Sequence, residues 1–355
     1  MRTQRPCRTE GVSKLTMQAS TTLPGGTSAR RTKNKALSMQ DAIGRYVHDG
    51  DVVAIEGFTH AVPTAAGHEI IRQGRKNLTL VRMTADIVVD QMLAGGCIST
   101  LVSSFVGNSS AGSLGELRRR VERADPAPLD YQEYSHYGMI CRYLAGAQRL
   151  PFYPLRSYFG SDLPRIQQGL RKIASPFPDA DGSHEDIYVV PPINPDVTIV
   201  HAQRADRAGN TQMWGLTGIQ AEAVFAAKRA IVVVEEIVDD DVIRADPNRT
   251  VIPSLAVDAV VECPGATHPS FSQGYSDRDN DFYRAWSGIS GDPVRLSEWM
   301  DEWIYGTKDH AEYLAKLGEA TLARLRVGQA LSGRVNYGTR LEPAGSSGQT
   351  PKEQQ

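Results

Sequence analysis

The sequence predicts an α/β protein in which helices cover both faces of a mainly parallel sheet. Apolar runs of strand length alternate with amphipathic helical segments in units of about thirty residues. Two of these runs, residues 197–200 and 230–234, each end in polar side chains and are separated by a helical segment. This pattern is typical of a crossover unit, in which functional groups collect at the carboxyl ends of the strands.

The predicted elements of the first half of the chain are mostly alternating helices and strands. They are a helix over residues 39–48, a strand over 51–56, a helix over 64–73, a strand over 78–83, a helix over 86–94, a strand over 97–105, a helix over 114–123 and a helix over 137–149. The first helix is amphipathic, since Ala42, Ile43 and Val47 share one face. Gly74 and Pro151 mark where the second and the last of these helices stop.

The two ends of the chain differ from the middle. Residues 1–38 hold many Lys and Arg but a single acid, Glu10, and Ser, Thr and Gly fill the gaps. Such a segment cannot bury enough apolar surface to order itself, so we expect a disordered basic N-terminal segment. A transit peptide and a translation start at Met39 are the other interpretations. Residues 329–355 are predicted to form a mobile tail, which leaves residues 39–328 as the folded domain.

Composition argues against several classes of protein. The chain has 355 residues and a formal net charge of −2, so it lacks the basic field that nucleic-acid binding needs. No apolar stretch approaches a membrane span, so we expect no membrane partner and a cytoplasmic location. The cysteines form no CxxC pair, which argues against a zinc site or a disulfide framework. Cys97, Cys141 and Cys263 stand in apolar surroundings and are predicted to be inert thiols.

The first candidate site lies where the strand over 51–56 turns into the following helix. Gly57, Phe58, Thr59 and His60 stand at this turn. Glycine lets a ligand approach the backbone closely, and free N–H groups near a helix N-terminus favour an anion or a developing oxyanion. An ordinary strand-to-helix turn is the alternative interpretation. Neither a dinucleotide fingerprint nor a phosphate-binding P-loop is present.

Two further polar segments stand at predicted element ends. Asn108, followed by Ser109 and Ser110, comes after the strand over 97–105 and either binds a carboxylate or forms an ordinary loop. His136 precedes a helix, where the helix N-terminus favours a neutral imidazole that is available for hydrogen bonding or base chemistry. A half-exposed capping cluster is the other interpretation of His136.

Polar residues also end the two runs of the crossover unit. His201 and Gln203 either face a substrate or form buried hydrogen bonds, and their spacing gives no metal site. Glu235 and Glu236 are adjacent, so on a strand they point to opposite faces and cannot act on one atom together. We expect one of them to bond backbone amides in the core. The acidic run 239–241 is interpreted as a solvated loop.

Assembled in chain order, these motifs resemble the A subunit of the family I coenzyme A transferases, and in particular the glutaconate CoA-transferase α-subunit group. The resemblance is colinear over residues 39–327. It rests on Ala42-Ile43, Tyr46-Val47-His48, Gly57-Phe58-Thr59, Leu150-Pro151-Phe152, His201-Ala202-Gln203, Trp214-Gly215, Glu235-Glu236-Ile237, Val257-Asp258-Ala259, His268-Pro269-Ser270 and Lys308-Asp309-His310.

The resemblance implies a three-layer α/β/α CoA-transferase (NagB/RpiA-like) fold and one subunit of a heteromer. In this family the nucleophile is a glutamate of the homologous B subunit, so no catalytic residue is expected here, and the chain indeed has no Gly-x-Ser-x-Gly elbow. The substrates implied are coenzyme A, as acyl-CoA, and a small dicarboxylic or oxo acid, with no permanently bound cofactor and no metal. The residues expected to bind substrate or stabilise an oxyanion are Gly57, Phe58, Thr59, His60, Ser103, Asn108, His136 and Gln203.

One residue departs from the resemblance, and two other functions stay open. Glu56 stands where relatives usually carry a glycine, and it either faces the site or points away. A related A subunit could instead hydrolyse a carbon–carbon bond in a ring-opened CoA thioester of steroid breakdown, with the change of role encoded near Ser103 and His136. A non-catalytic, ligand-binding α/β regulator is the alternative from another class.

Overall fold

The computed structural model describes residues 34–108 and 111–327. The expectations for most of the basic N-terminal segment, for Ser109 and Ser110 and for the tail lie outside the described residues. The division of the chain at residues 38 and 328 therefore stays a prediction. At the start of the described part the backbone already pairs with the sheet, since the Leu37 N–H donates to the Val260 carbonyl at 2.9 Å.

The elements alternate along the chain as the sequence predicts. The strands are β1 (Val52–Glu56), β2 (Leu78–Val81), β3 (Thr84–Ala85), β4 (Ile98–Ser103), β5 (Phe105–Val106), β6 (Asp130–Glu133), β7 (Tyr153–Leu155), β8 (Arg171–Ala174), β9 (Asp186–Val190), β10 (Val197–Asp206), β11 (Thr211–Gln212), β12 (Arg229–Val238), β13 (Thr250–Ile252) and β14 (Ala259–Glu262). The helices are α1 (Met39–Tyr46), α2 (Thr64–Arg72), α3 (Ile87–Ala94), α4 (Gly115–Arg123), α5 (His136–Ala147), α6 (Leu163–Ile166), α7 (Gln220–Ala226), α8 (Asp240–Arg244), α9 (Asn280–Ser290), α10 (Pro293–Met300), α11 (His310–Leu317) and α12 (Glu319–Leu325).

Parallel pairing dominates the main sheet. Within the described ranges, seven strands run parallel in the spatial order β14, β12, β10, β1, β2, β4, β6. β11 and β13 join antiparallel beside the carboxyl half of β10 and complete a nine-stranded sheet. The mainly parallel sheet predicted from the alternation of strands and helices is confirmed. A separate three-stranded antiparallel sheet has the order β7, β9, β8.

Side-chain alternation divides the core into two layers, one on each face of the sheet. Val53 and Ile55 of β1 pack on one face, while Ala54 packs on the other, because successive residues of a strand point to opposite sides. The first layer contains buried residues of α1, α2, α3, α4, α9 and α10. The second contains residues of α5, α7 and the small antiparallel sheet. The three-layer α/β/α arrangement is therefore present.

Two predicted strands are longer than expected. β10 continues past residue 200 to Asp206, and β12 continues past residue 234 to Val238. The prediction that His201 and Gln203 stand at the end of their strand is therefore wrong: both are fully buried inside it. Polar side chains break the apolar pattern, but His201 pairs with Glu235 and Gln203 bonds Trp214, and the backbone ladder between β10 and β12 continues to residue 206.

Other element boundaries differ from the predicted ones for local reasons. The predicted strand over 97–105 is divided, because β4 ends at Ser103 and β5 pairs separately with β3. α5 begins at His136, since the Ser135 side chain caps it by accepting the Gly138 N–H at 3.0 Å. Asp239 precedes α8, so the acidic run 239–241 starts a short helix and is not only a loop. β6 to β9 and helices α9 to α12 lie where no element was predicted from local pattern.

α5 lies close to the segment that leads into β10. A Cβ added to Gly146 would clash with the Ile193 carbonyl oxygen and lie 3.0 Å from the Ala226 Cβ. Backbone and a neighbouring helix form these contacts, so neither can move aside easily. The close packing of this helix therefore depends on a residue without a side chain.

We expect Gly146→Ala to lower the free energy of unfolding by about 1–3 kcal/mol, because the added methyl group overpacks the contact with Ile193. Gly288→Ala is the matched control: it lies in α9 with no atom within 4 Å of the added Cβ. That variant is expected to gain about 0.5–1 kcal/mol from higher helix propensity. Urea denaturation of the two variants beside the parent protein measures both changes. Equal effects in the two helices would contradict the packing argument.

Candidate active site

The turn after β1 is tight. Thr59 and Ala61 both have left-handed backbone, with φ of +55° and +54°. A Cβ on Gly57 would lie 2.5 Å from the Ala61 carbonyl oxygen, so only glycine fits there. Gly57 is thus required for the turn itself, in addition to any close approach of a ligand.

Hydrogen bonds hold the carbonyl groups of this turn inward. The fully buried Arg82 donates from Nη1 to the Ile55 carbonyl at 2.8 Å and from Nη2 to the Gly57 carbonyl at 3.2 Å. The Ser270 hydroxyl donates to the Thr59 carbonyl at 2.7 Å. These three bonds fix the backbone of the turn through its carbonyl groups.

Three consecutive donors at the turn have no protein acceptor. Within residues 34–108 and 111–327, the backbone N–H groups of Phe58, Thr59 and His60 are not hydrogen-bonded to the protein. Phe58 and Thr59 are partly exposed. A left-handed residue among consecutive N–H groups makes a concavity that favours an anion. The anion or oxyanion role that the sequence suggested for this turn stays a prediction.

His60 anchors the turn through its side chain. Its Nδ1 lies 3.1 Å from the Leu216 carbonyl, and its Nε2 lies 2.9 Å from the Gln273 N–H. A carbonyl only accepts and an N–H only donates, so Nδ1 carries the hydrogen and Nε2 the lone pair. Burial lowers the pKa of His60 to about 4. The ring is neutral and both its nitrogens are occupied, so the side chain holds the turn against Leu216 and Gln273.

Phe58, Ser104 and His136 form a second part of the site, called here the His136 cluster. The Phe58 and His136 rings meet edge to face at 6.0 Å between centroids. The Ser104 hydroxyl lies 2.8 Å from the Met83 carbonyl and 2.9 Å from His136 Nδ1. The hydroxyl has one hydrogen, and giving it to the carbonyl leaves Nδ1–H of His136 as the donor to Ser104. In the neutral ring with this tautomer, Nε2 carries a lone pair that can accept a hydrogen bond.

The remaining predicted site residues bond within the protein. Ser103 is buried with its hydroxyl 3.4 Å from the Tyr131 hydroxyl, and it is the neighbouring Ser104 that reaches His136. Asn108 is buried and donates to the Tyr283 carbonyl at 2.7 Å. Side chains on a strand alternate, so the choice between Ser103 and Ser104 depended on register, which a sequence pattern does not fix.

Gln203 holds a loop that lies against the turn. Its Nε2 donates to the Trp214 carbonyl at 2.8 Å, and its Oε1 accepts the Trp214 N–H at 3.2 Å. A Cβ on Gly218 would lie 3.4 Å from the Phe58 Cβ, so the far end of the same loop contacts the turn. Together with the bond from His60 to Leu216, this makes residues 214–218 one wall of the site. The sequence offered Trp214-Gly215 as a motif but no signal for its position.

A buried ion pair lies deeper, between β10 and β12. His201 Nε2 and Glu235 Oε1 are 3.1 Å apart, and Glu235 Oε2 accepts the Gly265 N–H at 2.7 Å. Burial opposes ionisation of Glu235, but His201 and the hydrogen bonds from Gly265 and Ser272 outweigh it and lower the pKa of Glu235. Glu236 accepts from the Tyr275 hydroxyl at 2.6 Å. The expectation that one of the two glutamates bonds a backbone amide holds for Glu235.

Glu56 has no hydrogen bond to the N–H groups of Phe58, Thr59 and His60, although its carboxylate does accept from the Gly57 N–H. It is buried, and its Oε1 accepts from the Tyr143 hydroxyl at 2.6 Å and from the Met83 N–H at 3.0 Å. Burial raises the pKa of Glu56 to about 7, against the opposing effects of Arg82 and of these hydrogen bonds. Of the two orientations that the sequence left open, the structure has the one that points away.

Other reactive groups are inert in the described part of the chain. The thiols of Cys97, Cys141 and Cys263 are free, and burial raises the pKa of each, to about 11 for Cys97 and about 12 for Cys263. Residues 34–108 and 111–327 contain no cluster of three or more His, Cys, Asp or Glu side chains that could hold a metal ion. None of the helices in the described ranges has the length and apolar character to cross a bilayer.

Fold and site together define a class: an α/β protein with a tight, hydrogen-bonded turn and a histidine cluster beside the carboxyl end of a parallel strand. The family model described as "Coenzyme A transferase" matches residues 36–263. The chain belongs to the coenzyme A transferase family. The resemblance seen in the sequence motifs is thereby confirmed.

Two relatives and one solved structure agree with this assignment. The chain is 50% identical over 283 residues to the A subunit of 3-oxoadipate CoA-transferase from Pseudomonas knackmussii, covering 80% of this chain and 98% of the relative. It is 34% identical over 306 residues to the A subunit of glutaconate CoA-transferase from Acidaminococcus fermentans, covering 83% and 95%. The crystal structure of glutaconate coenzyme A-transferase from that organism superposes with a TM-score of 0.78 at 32% identity, covering 85% of this chain and 98% of that chain.

The neutral His60 predicts how stability depends on pH. Unfolded His60 has a pKa near its ordinary 6.5, whereas folded His60 takes a proton only near pH 4. Stability from this group is therefore complete above pH 6.5 and is lost as the pH falls through about 4. His60→Asn is expected to reduce the slope of unfolding free energy against pH by up to about 1.4 kcal/mol per unit in that window.

Urea denaturation at fixed protein concentration, repeated from pH 7 to pH 4.5, measures this slope. His48→Asn is the control, because the His48 side chain is 63% exposed and should leave the slope as it is. The slope is compared, not the absolute stability, so a general weakening by His60→Asn does not disturb the result. An identical slope in both variants would contradict the assignment of His60 as a buried neutral ring.

Proposed function

We propose that this chain is the A subunit of a two-subunit CoA-transferase, which moves CoA between an acyl-CoA and a small dicarboxylic or oxo acid. The observation that carries the proposal is the turn with three unpaired N–H groups, at Phe58, Thr59 and His60. Its relatives are named as A subunits of transferases for 3-oxoadipate and glutaconate, which supports both the acid class and a B partner. The partner would supply the nucleophilic glutamate.

The proposed chemistry needs an oxyanion site more than it needs a nucleophile from this chain. The partner's carboxylate attacks the thioester carbonyl, and the electron pair of the C=O bond moves onto oxygen. N–H groups of Phe58 and Thr59 would donate to that oxygen, and because the turn is fixed in advance they need not reorganise. Collapse expels CoA thiolate and leaves an acyl-glutamyl anhydride. The thiolate then attacks the glutamyl carbonyl, which releases the first acid and gives a glutamyl-CoA thioester.

The His136 cluster is assigned to substrate orientation. Nε2 of His136 can accept a hydrogen bond, whereas a neutral lone pair cannot stabilise an anion, so it is complementary to the N–H groups of the turn. A suitable donor is an amide N–H of the pantetheine arm of CoA. Asn108 and Gln203 hold the backbone carbonyls of Tyr283 and Trp214, and Ser103 bonds the side-chain hydroxyl of Tyr131.

Hydrolysis of a carbon–carbon bond in a cyclic or ring-opened acyl-CoA, as in steroid ring breakdown, is the second candidate function. One observation favours it: the lone pair on Nε2 of His136 could equally take a proton from water and activate it as a nucleophile. The two functions differ in what they consume. Transfer needs an acceptor acid, and hydrolysis needs only water.

We expect CoA transfer only when this chain is combined with its B subunit. The complex is given an acyl-CoA, with 3-oxoadipate or glutaconate as acceptor, and the new CoA ester is measured by chromatography. The chain alone, and the complex without acceptor, are the controls. Robust transfer by this chain alone, or an acyl group found on one of its own side chains, would contradict the proposed division of labour between the two subunits. Products formed from a ring-opened CoA ester by the complex without any acceptor would favour hydrolysis.

We expect Gly57→Ala to lower kcat of the complex by about 100-fold or more, because the added methyl group displaces the N–H donors of the turn. Gly288→Ala, which meets no atom within 4 Å, is the control for a mutation outside the site and should keep the parental rate. Melting temperature and co-purification with the B subunit show whether the Gly57 variant still assembles. A fully active Gly57→Ala complex would exclude this turn as the oxyanion site.

A further inference from the structure

Glu56 connects the two parts of the candidate site. It is the last residue of β1 and immediately precedes Gly57, so its backbone leads directly into the N–H donors of the turn. Its carboxylate reaches in two other directions, to the Met83 N–H at 3.0 Å and to the Tyr143 hydroxyl at 2.6 Å. Both contacts lead to the His136 cluster by separate routes.

The first route passes through the backbone after β2. Met83 gives its N–H to Glu56 and its carbonyl to the Ser104 hydroxyl, the latter at 2.8 Å. That hydroxyl, with its hydrogen used, accepts from His136 Nδ1 at 2.9 Å. Two bonded groups thus separate the Glu56 carboxylate from the imidazole. The orientation of the hydroxyl, and with it the tautomer of His136, depends on where Met83 is held.

The second route passes through α5. Tyr143 is fully buried in α5, and His136 is the first residue of the same helix. The bond from Tyr143 to Glu56 therefore fixes the helix against the end of β1. The His136 ring in turn contacts the Phe58 ring of the turn edge to face, with 6.0 Å between the ring centroids. Displacing Glu56 would therefore change the distance between the turn and the His136 imidazole through both Ser104 and α5.

Arg82 holds the backbone on either side of Glu56 but does not make the contacts that Glu56 makes. Its guanidinium holds the carbonyls on either side, those of Ile55 and Gly57, and pairs with Asp86 at 2.8 Å. None of these bonds touches the His136 cluster or α5. The structure assigns the frame of the turn to Arg82 and leaves its connection to the imidazole to Glu56.

We propose that Glu56 is a positioning residue, which sets the His136 imidazole at a fixed distance and tautomer relative to the N–H donors of the turn. The inference rests on the proposed function for its effect on rate, but the placement of His136 can be measured without any turnover. Glu56 makes no contact with a reacting group. It acts through Met83, Ser104 and Tyr143.

The proposal predicts different results for two substitutions of Glu56. Glu56→Gln keeps an oxygen that can accept from both Tyr143 and Met83, so it should retain most of the activity. Glu56→Ala removes the acceptor and should lower kcat by about 100-fold, with a smaller change in KM, because the reacting groups are misplaced after binding. Tyr143→Phe breaks only the second route and should give an intermediate loss.

A second readout follows His136 directly. In the complex of the full chain with its B subunit, ¹⁵N-imidazole NMR reports the tautomer, and the His136 signals are assigned by their absence in His136→Gln. Glu56→Ala should change these signals, and Glu56→Gln should restore them. Asp90→Ala is the matched control, since Asp90 is an equally buried carboxylate that accepts from the Leu117 N–H and Trp286 Nε1, with bonds to neither His136 nor the turn.

The outcomes separate the two proposals. Unchanged His136 signals in Glu56→Ala, or equal changes in Asp90→Ala, would overturn the positioning role whatever happens to the rate. Changed signals in a complex that transfers CoA to no acid would support the positioning role and remove the proposed function instead. If Glu56→Ala does not fold, Tyr143→Phe decides by the same signals: a change supports the proposal, and none overturns it.

Discussion

The geometry of the candidate site depends on one buried cation. Arg82 is fully buried, and it bonds the carbonyls of Ile55 and Gly57 while pairing with the Asp86 carboxylate. A buried charge without such partners would be costly, so the guanidinium and its acceptors hold each other in place. These bonds fix the carbonyls of Ile55 and Gly57, and with them the start of the turn whose N–H groups we propose as the anion site.

The fold was predictable from the sequence largely because buried parallel strands leave a strong local signal. Runs such as residues 52–55 and 230–234 are continuously apolar, and amphipathic helices separate the strands of the first half. The small antiparallel sheet was missed since its strands are short and partly exposed, as the pattern of β8 shows. The extension of β10 was missed because His201 and Gln203 look like a strand end. Their partners, Glu235 and Trp214, are brought to them only by the folded chain.

The site was partly predictable for a similar reason. Gly57 and the residues after it were recognised because a glycine at a strand end indicates a tight turn or a close approach to the backbone. Ser104 and Arg82 were not, since their importance lies in which way each side chain points and in contacts 20 or more residues away. Glu56 could be noticed as a departure from a motif, but not oriented. Local pattern identifies the backbone of a site more readily than the side chains that hold it.

Rigid elements place every group of the site before any partner binds. His136 is the first residue of α5, and three contacts fix that helix: the Ser135 cap, the Tyr143 bond to Glu56 and the close packing of Gly146. The opposite wall, residues 214–218, is held by hydrogen bonds from Gln203, which lies inside a ten-residue strand, and from the His60 ring. In the proposed function, donors held in this way would need no reorganisation when charge develops on a thioester oxygen. A second chain that closes over the carboxyl edge of the sheet would then bring the reactive carboxylate without disturbing the donors already in place.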